Sequence, residues 1–119
     1  MDTIHIKRAY EPPAEGDGTR VLVDRLWPRG LSREAAHIDA WLKDVAPSDG
    51  LRRFFGHDPV KWPEFRRRYL AELAHNERVD ELRSMLRPGR TVTLVYAAKD
   101  PDHNNAVVLH EMLTRQKRS

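Results

Sequence analysis

The chain has 119 residues, with 21 lysines and arginines against 18 aspartates and glutamates, and it contains no cysteine. This length fits a single domain, residues 1–119, which can bury a hydrophobic core without cross-links. The lack of cysteine excludes disulfide scaffolds, thiolate metal sites, iron–sulfur clusters and cysteine nucleophiles. No apolar run is long enough to span a membrane, and residues 1–3 do not open a signal peptide. We therefore expect a cytoplasmic protein without a membrane partner.

The first part of the chain contains two predicted strands separated by a loop. Alternation over residues 4–6 predicts a short strand that ends at Arg8. Two prolines and two glycines place residues 11–19 in a loop. The apolar stretch 20–26 predicts a strand buried on both faces, as in parallel sheets, and Pro28 ends it. The loop length leaves open whether these two strands are parallel.

Four helices are predicted in the middle of the chain. Three residues can cap helix starts through a side-chain oxygen: Ser32, Ser48 and Asp58. Gly56 is expected to end the second helix and Asn76 the third. The fourth covers residues 79–86, and Pro88-Gly89 closes it. Residues 37–45 remain ambiguous between a helix and a short strand.

The third helix has an apolar face and a charged face. Its predicted core residues recur at helical spacing: Trp62, Phe65, Tyr69 and Leu73. On the charged face, Arg68 is four residues from both Glu64 and Glu72, so we expect two ion pairs. Arg67 is expected to have a free face.

The run of arginines at 66–68 suggests nucleic-acid binding, and Arg52-Arg53 adds to it. However, consecutive helical residues point about 100° apart and form no single stripe. A net charge of +3 is also small for a dedicated nucleic-acid binder. We therefore favour a solvated helix surface and keep a nucleic-acid-binding or regulatory module as the alternative function.

The last part of the chain contains the clearest strand, over residues 91–98. A polar turn over residues 99–103 leads into a helix with Ala106, Leu109 and Leu113 facing inward, and we expect residues 115–119 to be a frayed basic tail. Strands interleaved with helices predict a small α/β fold with three or more mostly parallel strands flanked by helices.

Ligands of open α/β sheets bind at the carboxyl ends of the strands, which here selects the segments 24–30 and 99–105. The candidate ligand-binding residues on this rim are Asp24, Arg25, Trp27, Arg29, Lys99 and Asn104. Arginine side chains and a helix start suit a small anionic ligand that carries phosphate or carboxylate. In the structural alternative, Asp24 pairs with Arg25 or Arg29, while Asp102 or Asn104 only caps the helix.

Asp100 and His103 are the candidate catalytic residues, because a histidine beside a carboxylate can move a proton near neutral pH. The alternative is a solvated turn histidine. No serine-hydrolase elbow, phosphate loop or dinucleotide-binding glycine pattern is present, so a hydrolase or transferase activity stays open. His57-Asp58 suggests a metal site, but Asp58 has a sufficient role as a cap. We expect no metal and no cofactor.

A third hypothesis is structural: the protein is a homodimer, and residues 24–30 only support the fold. A lower melting temperature of Arg29→Ala with unchanged ligand affinity would favour this hypothesis over anion binding.

Several motifs together resemble the YeaO-like family, which belongs to the wider group called domain of unknown function 488. The most specific motif is Asp24-Arg25-Leu26-Trp27-Pro28-Arg29-Gly30, followed by Trp41-x-Lys43 and Pro47-Ser48-x-x-Leu51-Arg52. Later matches are Phe65-x-x-x-Tyr69-Leu70-x-Glu72-Leu73, Thr93-Leu94-x-Tyr96-x-Ala98-Lys99-Asp100 and Asn104-x-Ala106-x-x-Leu109. The resemblance implies an intracellular, prokaryotic α/β protein that usually stands alone. It implies no settled activity or substrate.

Overall fold

The computed structural model describes residues 3–86 and 89–115 and shows an α/β fold built on one four-stranded parallel sheet. The strands are β1 (Thr3–Arg8), β2 (Thr19–Leu22), β3 (Ala40–Trp41) and β4 (Thr91–Tyr96). Their order is β1-β4-β2-β3, and each neighbouring pair is parallel. The predicted fold class is confirmed. The first two strands are parallel but not adjacent, because β4 lies between them.

Five α-helices accompany the sheet in the described part of the chain. They are α1 (Arg33–Ala36), α2 (Asp49–Phe55), α3 (Trp62–Ala74), α4 (Arg78–Ser84) and α5 (Asn105–Arg115). Three short 3₁₀ turns cover Glu15–Asp17, Lys43–Val45 and Pro59–Lys61. Within the described part of the chain, no helix is both long enough and apolar enough to cross a bilayer.

The two faces of the sheet bury different clusters, because successive strand residues point to opposite sides. Val21 of β2 and Leu94 of β4 belong to the larger core, which helices α2 to α5 cover. Leu22 and Val95, one residue further along each strand, belong to a smaller cluster with Trp41 and other residues of the β2–β3 connection. Both central strands are therefore buried on both faces, as the sequence predicted for β2.

The helix caps follow the sequence closely. Ser32 accepts a hydrogen bond from the Ala35 N–H, and Ser48 accepts one from the Leu51 N–H. Asp58 accepts from the Val60 N–H, but it caps a 3₁₀ turn, and α3 begins only at Trp62. The predicted core face of α3 is confirmed, because Phe65, Tyr69 and Leu73 are buried. Trp62, the fourth predicted member, is half-buried against the same core.

Several predicted boundaries are corrected. The second strand ends at Leu22 rather than at residue 26, because the chain leaves the sheet where the side chain of Asp24 takes over a backbone partner. Helix α3 ends at Ala74, and Asn76 instead begins the next turn by accepting from the Arg78 N–H. The ambiguous stretch 37–45 contains both β3 and a 3₁₀ turn. Pro88 and residues 116–119 lie outside the described residues.

A buried ionic network ties the start of β2 to its surroundings. Arg20, only 3% exposed, donates from Nη1 to Asp17 at 2.6 Å and from Nε and Nη2 to the Ala36 carbonyl at 3.1 and 2.9 Å. The Lys7 ammonium donates to both oxygens of Asp17 at 3.1 Å. Burial raises the pKa of Asp17, but hydrogen bonds from the Ala14 N–H, Lys7 and Arg20 outweigh it and hold that pKa below 3.8.

Gly18 connects this network to the sheet with a left-handed backbone, at φ +63°. A Cβ atom at this position would lie 2.2 Å from the carbonyl oxygen of Thr91, the first residue of β4. Only glycine allows the loop after β1 to pass this close to β4.

Candidate functional site

An open cleft of about 1380 Å³ lies at the carboxyl ends of the strands. Residues that follow β1, β2, β3 and β4 all line it, together with residues of α2 and α3. The eight predicted site residues are all among its lining residues: Asp24, Arg25, Trp27, Arg29, Lys99, Asp100, His103 and Asn104. The two segments chosen from the sequence therefore meet at one rim, because β2 and β4 are parallel neighbours.

Asp24 lies where β2 and β4 diverge and joins both ends. One carboxylate oxygen accepts from the Ala97 N–H at 2.9 Å, and the other accepts from Asn105 Nδ2 at 3.1 Å. The Asp24 carbonyl accepts from Trp41 Nε1 at 2.7 Å, which brings in the edge strand β3. Asn105 also donates to the Val23 carbonyl at 2.8 Å. Asp24 therefore holds the floor of the cleft together.

Burial raises the pKa of the Asp24 carboxyl, and hydrogen bonds from Ala97 and Asn105 and the charge of Arg52 offset part of that rise. The expected structural alternative, in which Asp24 pairs with Arg25 or Arg29, is wrong. Arg25 instead approaches Asp49, with Nε 3.6 Å from Oδ1. The carboxylate of Asp24 is occupied by the protein itself, so its role in the cleft is to position the strand ends.

Asp49, the first residue of α2, brings two arginines together. Arg25 Nε lies 3.6 Å and Arg52 Nη2 3.8 Å from the same oxygen of Asp49. Both distances exceed hydrogen-bond length, so these contacts are weak ion pairs. Among the described residues, the buried Nε of Arg25 has no hydrogen-bond acceptor. One carboxylate therefore compensates two guanidinium groups only in part.

Three further cations line the cleft: Arg29, Arg53 and Lys99. All three are exposed, and over residues 3–86 and 89–115 none lies within ion-pair distance of a carboxylate. The contact at Arg29 involves its backbone, whose carbonyl accepts from the Tyr10 hydroxyl at 2.8 Å. Arg29 therefore lines the cleft without a carboxylate partner among the described residues.

Asp100 and His103 form a hydrogen-bonded pair in the turn after β4. His103 Nδ1 lies 2.9 Å from Asp100 Oδ2, and the other oxygen accepts from the N–H groups of Asp102 and His103 at 2.9 and 3.2 Å. The Asp102 N–H, followed by the His103 side chain, lowers the pKa of Asp100. An ionised Asp100 can only accept at this contact, so Nδ1 of His103 is the donor. The ring of Trp62 contacts the imidazole edge-on at 5.2 Å between centroids.

Asn104 is buried, and the structure uses both ends of its side chain. Nδ2 donates to the Asp100 carbonyl at 2.9 Å, and Oδ1 accepts from the Val107 N–H in the first turn of α5 at 3.1 Å. This is the helix-capping role that the sequence left as the alternative for Asn104. Its contribution to the cleft is therefore to fix the turn that carries Lys99 and His103.

Trp27 forms a rigid part of the cleft wall. Its Nε1 donates to the Leu31 carbonyl at 2.6 Å, and its ring meets Trp41 edge-on at 5.5 Å between centroids. The guanidinium of Arg33 lies 4.9 Å from the centroid of the Trp27 ring. These contacts hold the indole against the smaller cluster of the sheet while it lines the cleft.

Sequence reasoning missed part of the site. The additional polar and aromatic lining residues are Arg8, Tyr10, Arg52, Arg53, Phe55, His57, Phe65 and Asn105. Two of them, Arg8 and Tyr10, could have been found by the same carboxyl-end rule, had β1 been assigned to the parallel sheet. Asn105 lies within the selected segment 99–105 but was not named as a site residue. The remaining ones come from helices and loops whose placement over the sheet cannot be predicted from local patterns.

A metal site at His57 is not supported by the geometry. In the chain as described, no group of three or more histidine, aspartate or glutamate side chains is placed to hold a metal ion. His57 follows the end of α2 with φ +59°, and Asp58 caps the next turn as expected.

The arginines of α3 are all paired with carboxylates. Arg68 pairs with Glu64 at 2.6 Å as predicted, but Glu72 accepts from the N–H and hydroxyl of Ser48 instead. Arg67, expected to have a free face, donates to Glu64 at 3.0 Å. Arg66 pairs with Glu111 of α5. The charges of this helix are thus compensated, whereas several cations of the cleft are not.

Comparisons with known proteins match almost the whole chain. A family model described as "Inactive DUF488-N3 subclade" matches residues 3–119. The chain is 41% identical over 110 residues to "Uncharacterized protein YeaO" of Escherichia coli (strain K12), covering 92% of this chain and 96% of the relative. It is 40% identical over 111 residues to "Uncharacterized protein Rv3073c" of Mycobacterium tuberculosis, covering 92% of each. No solved structure matches at a significant level. With its sheet, its motifs and these relatives in agreement, the chain belongs to the YeaO-like DUF488 family.

Proposed function

We propose that this protein binds a small anionic ligand, bearing phosphate or carboxylate, in the cleft at the carboxyl ends of its strands. The observation that carries the proposal is the charge of the lining. Among the residues that the structure describes, six cationic side chains line the cleft: Arg8, Arg25, Arg29, Arg52, Arg53 and Lys99. The carboxylates of Asp24 and Asp100 line it as well, and both oxygens of Asp24 accept hydrogen bonds from the protein itself.

The contrast with α3 supports a functional reason for these charges. Arg66, Arg67 and Arg68 each have a carboxylate partner. Arg29, Arg53 and Lys99 have none among the residues that the structure covers. Like charges that converge without compensation repel one another, so they favour a bound anion. Guanidinium groups also match phosphate and carboxylate oxygens with paired donors.

Isothermal titration calorimetry with inorganic pyrophosphate as the probe tests the proposal. Wild type is compared with the triple variant Arg29→Ala, Arg53→Ala, Lys99→Ala. The matched control is Arg67→Ala, Arg78→Ala, Arg90→Ala, which removes three exposed charges outside the cleft. We expect the cleft variant to bind at least about tenfold more weakly, since charged hydrogen bonds are lost. Equal weakening in both variants, or no binding by wild type, would contradict the proposal.

The ligand is proposed to be bound without turnover. The matched subclade is described as inactive. The competing candidate is a hydrolase or transferase in which His103, oriented by Asp100, moves a proton. Phosphorus NMR of p-nitrophenyl phosphate, incubated with stoichiometric protein, separates the two candidates. An unchanged substrate signal supports binding alone, and product formation that His103→Ala abolishes would establish the enzyme.

The nucleic-acid hypothesis loses its main support, because the arginines of α3 are paired, and Arg52 and Arg53 line the cleft instead. If it were correct, polynucleotide binding would weaken steeply with salt and would depend on Arg66 to Arg68. We propose that retention on a polynucleotide is unchanged in Arg67→Ala. A homodimer and a cytoplasmic location are kept as proposals, the latter because the chain has no cysteine for an oxidising compartment.

A further inference from the structure

Most of the large hydrophobic side chains that the described residues expose lie at the cleft. Among the described residues, three large hydrophobic side chains are exposed, and two of them, Tyr10 (41%) and Leu26 (65%), line the cleft. The third, Val60, lies elsewhere. Exposed apolar surface next to polar groups is a mark of a binding site. The cationic groups alone do not explain it, because an inorganic anion gains nothing from an aromatic or aliphatic neighbour.

Tyr10 is held in a defined orientation. The guanidinium carbon of Arg8 lies 4.7 Å from the centroid of the Tyr10 ring, within the range of a cation–π contact. The Tyr10 hydroxyl donates to the Arg29 carbonyl at 2.8 Å. Arg8 is itself fixed, because its Nε donates to the Ala98 carbonyl at 3.0 Å, next to Lys99. A ring fixed at its face and at its hydroxyl loses little entropy when a flat group stacks against it.

Two cations of the cleft, Arg29 and Lys99, are connected to this ring through backbone contacts. Arg29 contributes the carbonyl that anchors Tyr10, and Lys99 follows the residue that anchors Arg8. A ligand that stacks on Tyr10 therefore meets uncompensated positive charge nearby. The cleft volume of about 1380 Å³ also exceeds the roughly 300–1,000 Å³ of common small-molecule sites, so an inorganic anion would fill a small part of it.

From these relations we infer that the ligand of the cleft is a nucleoside monophosphate, with its base stacked on Tyr10 and its phosphate held by Arg29 and Lys99. This inference rests on the proposed anion-binding function and adds the chemical class of the ligand. Every nucleobase has a flat π-face, so stacking on a fixed tyrosine selects for a base without selecting its identity. The phosphate supplies the negative charge that compensates these cations.

Calorimetry with adenosine 5′-monophosphate and ribose 5-phosphate tests the inference, because the two probes share sugar and phosphate and differ by the base. We expect the nucleotide to bind wild type at least about fivefold more tightly, as base stacking on an aromatic ring predicts. Tyr10→Ala and Tyr10→Leu should abolish this preference and leave ribose 5-phosphate affinity within about twofold. Tyr10→Phe keeps the ring and should keep most of the preference.

Val60→Ala is the matched control, since it removes an exposed apolar side chain outside the cleft. If ribose 5-phosphate binds but the base adds nothing, the inference is wrong and the proposed function stands. If neither probe binds but pyrophosphate does, the inference is wrong and the proposed function stands; if pyrophosphate does not bind either, both are wrong. A single-stranded trinucleotide distinguishes a free nucleotide from a nucleic-acid strand: binding no tighter than the mononucleotide supports the inference, and much tighter binding overturns it.

Discussion

The carboxylate of Asp24 accepts a hydrogen bond from the backbone N–H of Ala97 at 2.9 Å, and this contact joins two strand ends that are 73 residues apart in the chain. It occurs where the ladder between β2 and β4 stops, one step beyond the last backbone contact, from the Val23 N–H to the Val95 carbonyl at 3.1 Å. The side chain of Asp24 thus adds one more contact between the two strands where they separate. The cleft opens at this point, because the segments after β2 and β4 leave the sheet while the Asp24–Ala97 contact holds the two strand ends together.

We predict that Asp24→Ala destabilises the protein by about 2 kcal/mol, because it leaves the partly buried N–H of Ala97 without an acceptor and removes one of the two acceptors of the Asn105 amide. Urea unfolding followed by circular dichroism measures the effect. The control is Glu34→Ala, which removes an exposed carboxylate of α1 and should change stability by less than about 0.5 kcal/mol. Equal stability of the two variants would show that the Asp24 contact contributes nothing.

Arg29→Ala separates ligand binding from structural support. The side chain of Arg29 is exposed, and its contact with Tyr10 uses the backbone carbonyl, which alanine retains. We expect the Tm to change by less than about 3 °C and the affinity for pyrophosphate to fall about tenfold. The measurements are differential scanning fluorimetry and calorimetry. A clear loss of Tm with unchanged pyrophosphate affinity would instead favour the hypothesis that residues 24–30 only support the fold.

Asp17 should make stability depend on pH in the acid range. Its folded pKa lies below 3.8, so its stabilising contribution is complete above that pH and is lost as the pH falls through the folded pKa. We expect Asp17→Asn to be less stable at pH 7 by about 3 kcal/mol, since Arg20 and Lys7 lose a buried partner. The difference should shrink toward pH 2 in urea titrations. Glu15→Gln, an exposed neighbour in the same turn, is the control, and a constant difference between wild type and Asp17→Asn at all pH values would refute the linkage.

A positive φ costs a residue other than glycine about 1–3 kcal/mol. Gly18→Ala should destabilise the protein by more than this, because the new Cβ would also lie 2.2 Å from the carbonyl oxygen of Thr91. Gly16→Ala is a matched control two residues away, where an added Cβ meets nothing within 4 Å. Thermal unfolding of both variants checks the prediction. Similar Tm values for the two would mean that the loop after β1 does not approach β4 so closely.

The fold was predictable where local patterns decide the structure. β4 is rich in β-branched residues, and Ser48 and Gly56 mark the two ends of α2, so these elements follow from the sequence. The end of β2 was not predicted, because Val23 and Leu26 extend the apolar pattern of the strand across Asp24 and Arg25. Only the contact between Asp24 and Ala97, which depends on the sheet order, shows where the strand stops.

The candidate site was predictable in outline for a similar reason. The carboxyl-end rule selects Arg29 and Lys99 from the turns after two recognised strands, and both line the cleft. Tyr10 was missed because the direction of β1 depends on its pairing with β4 across the chain. The role of Asn104 was decided by a capping bond that competes with ligand binding for the same side chain.

The central claim, that the cleft binds an anion, is tested most directly by following the backbone ¹⁵N–¹H resonances during titration with pyrophosphate. We predict saturable shifts for residues 8–10, 24–29, 52–53 and 97–105, which line the cleft or adjoin it. The resonances of Arg66 to Arg68 in α3 should not move in the same way. Saturable shifts confined to α3, or none at all, would contradict the account.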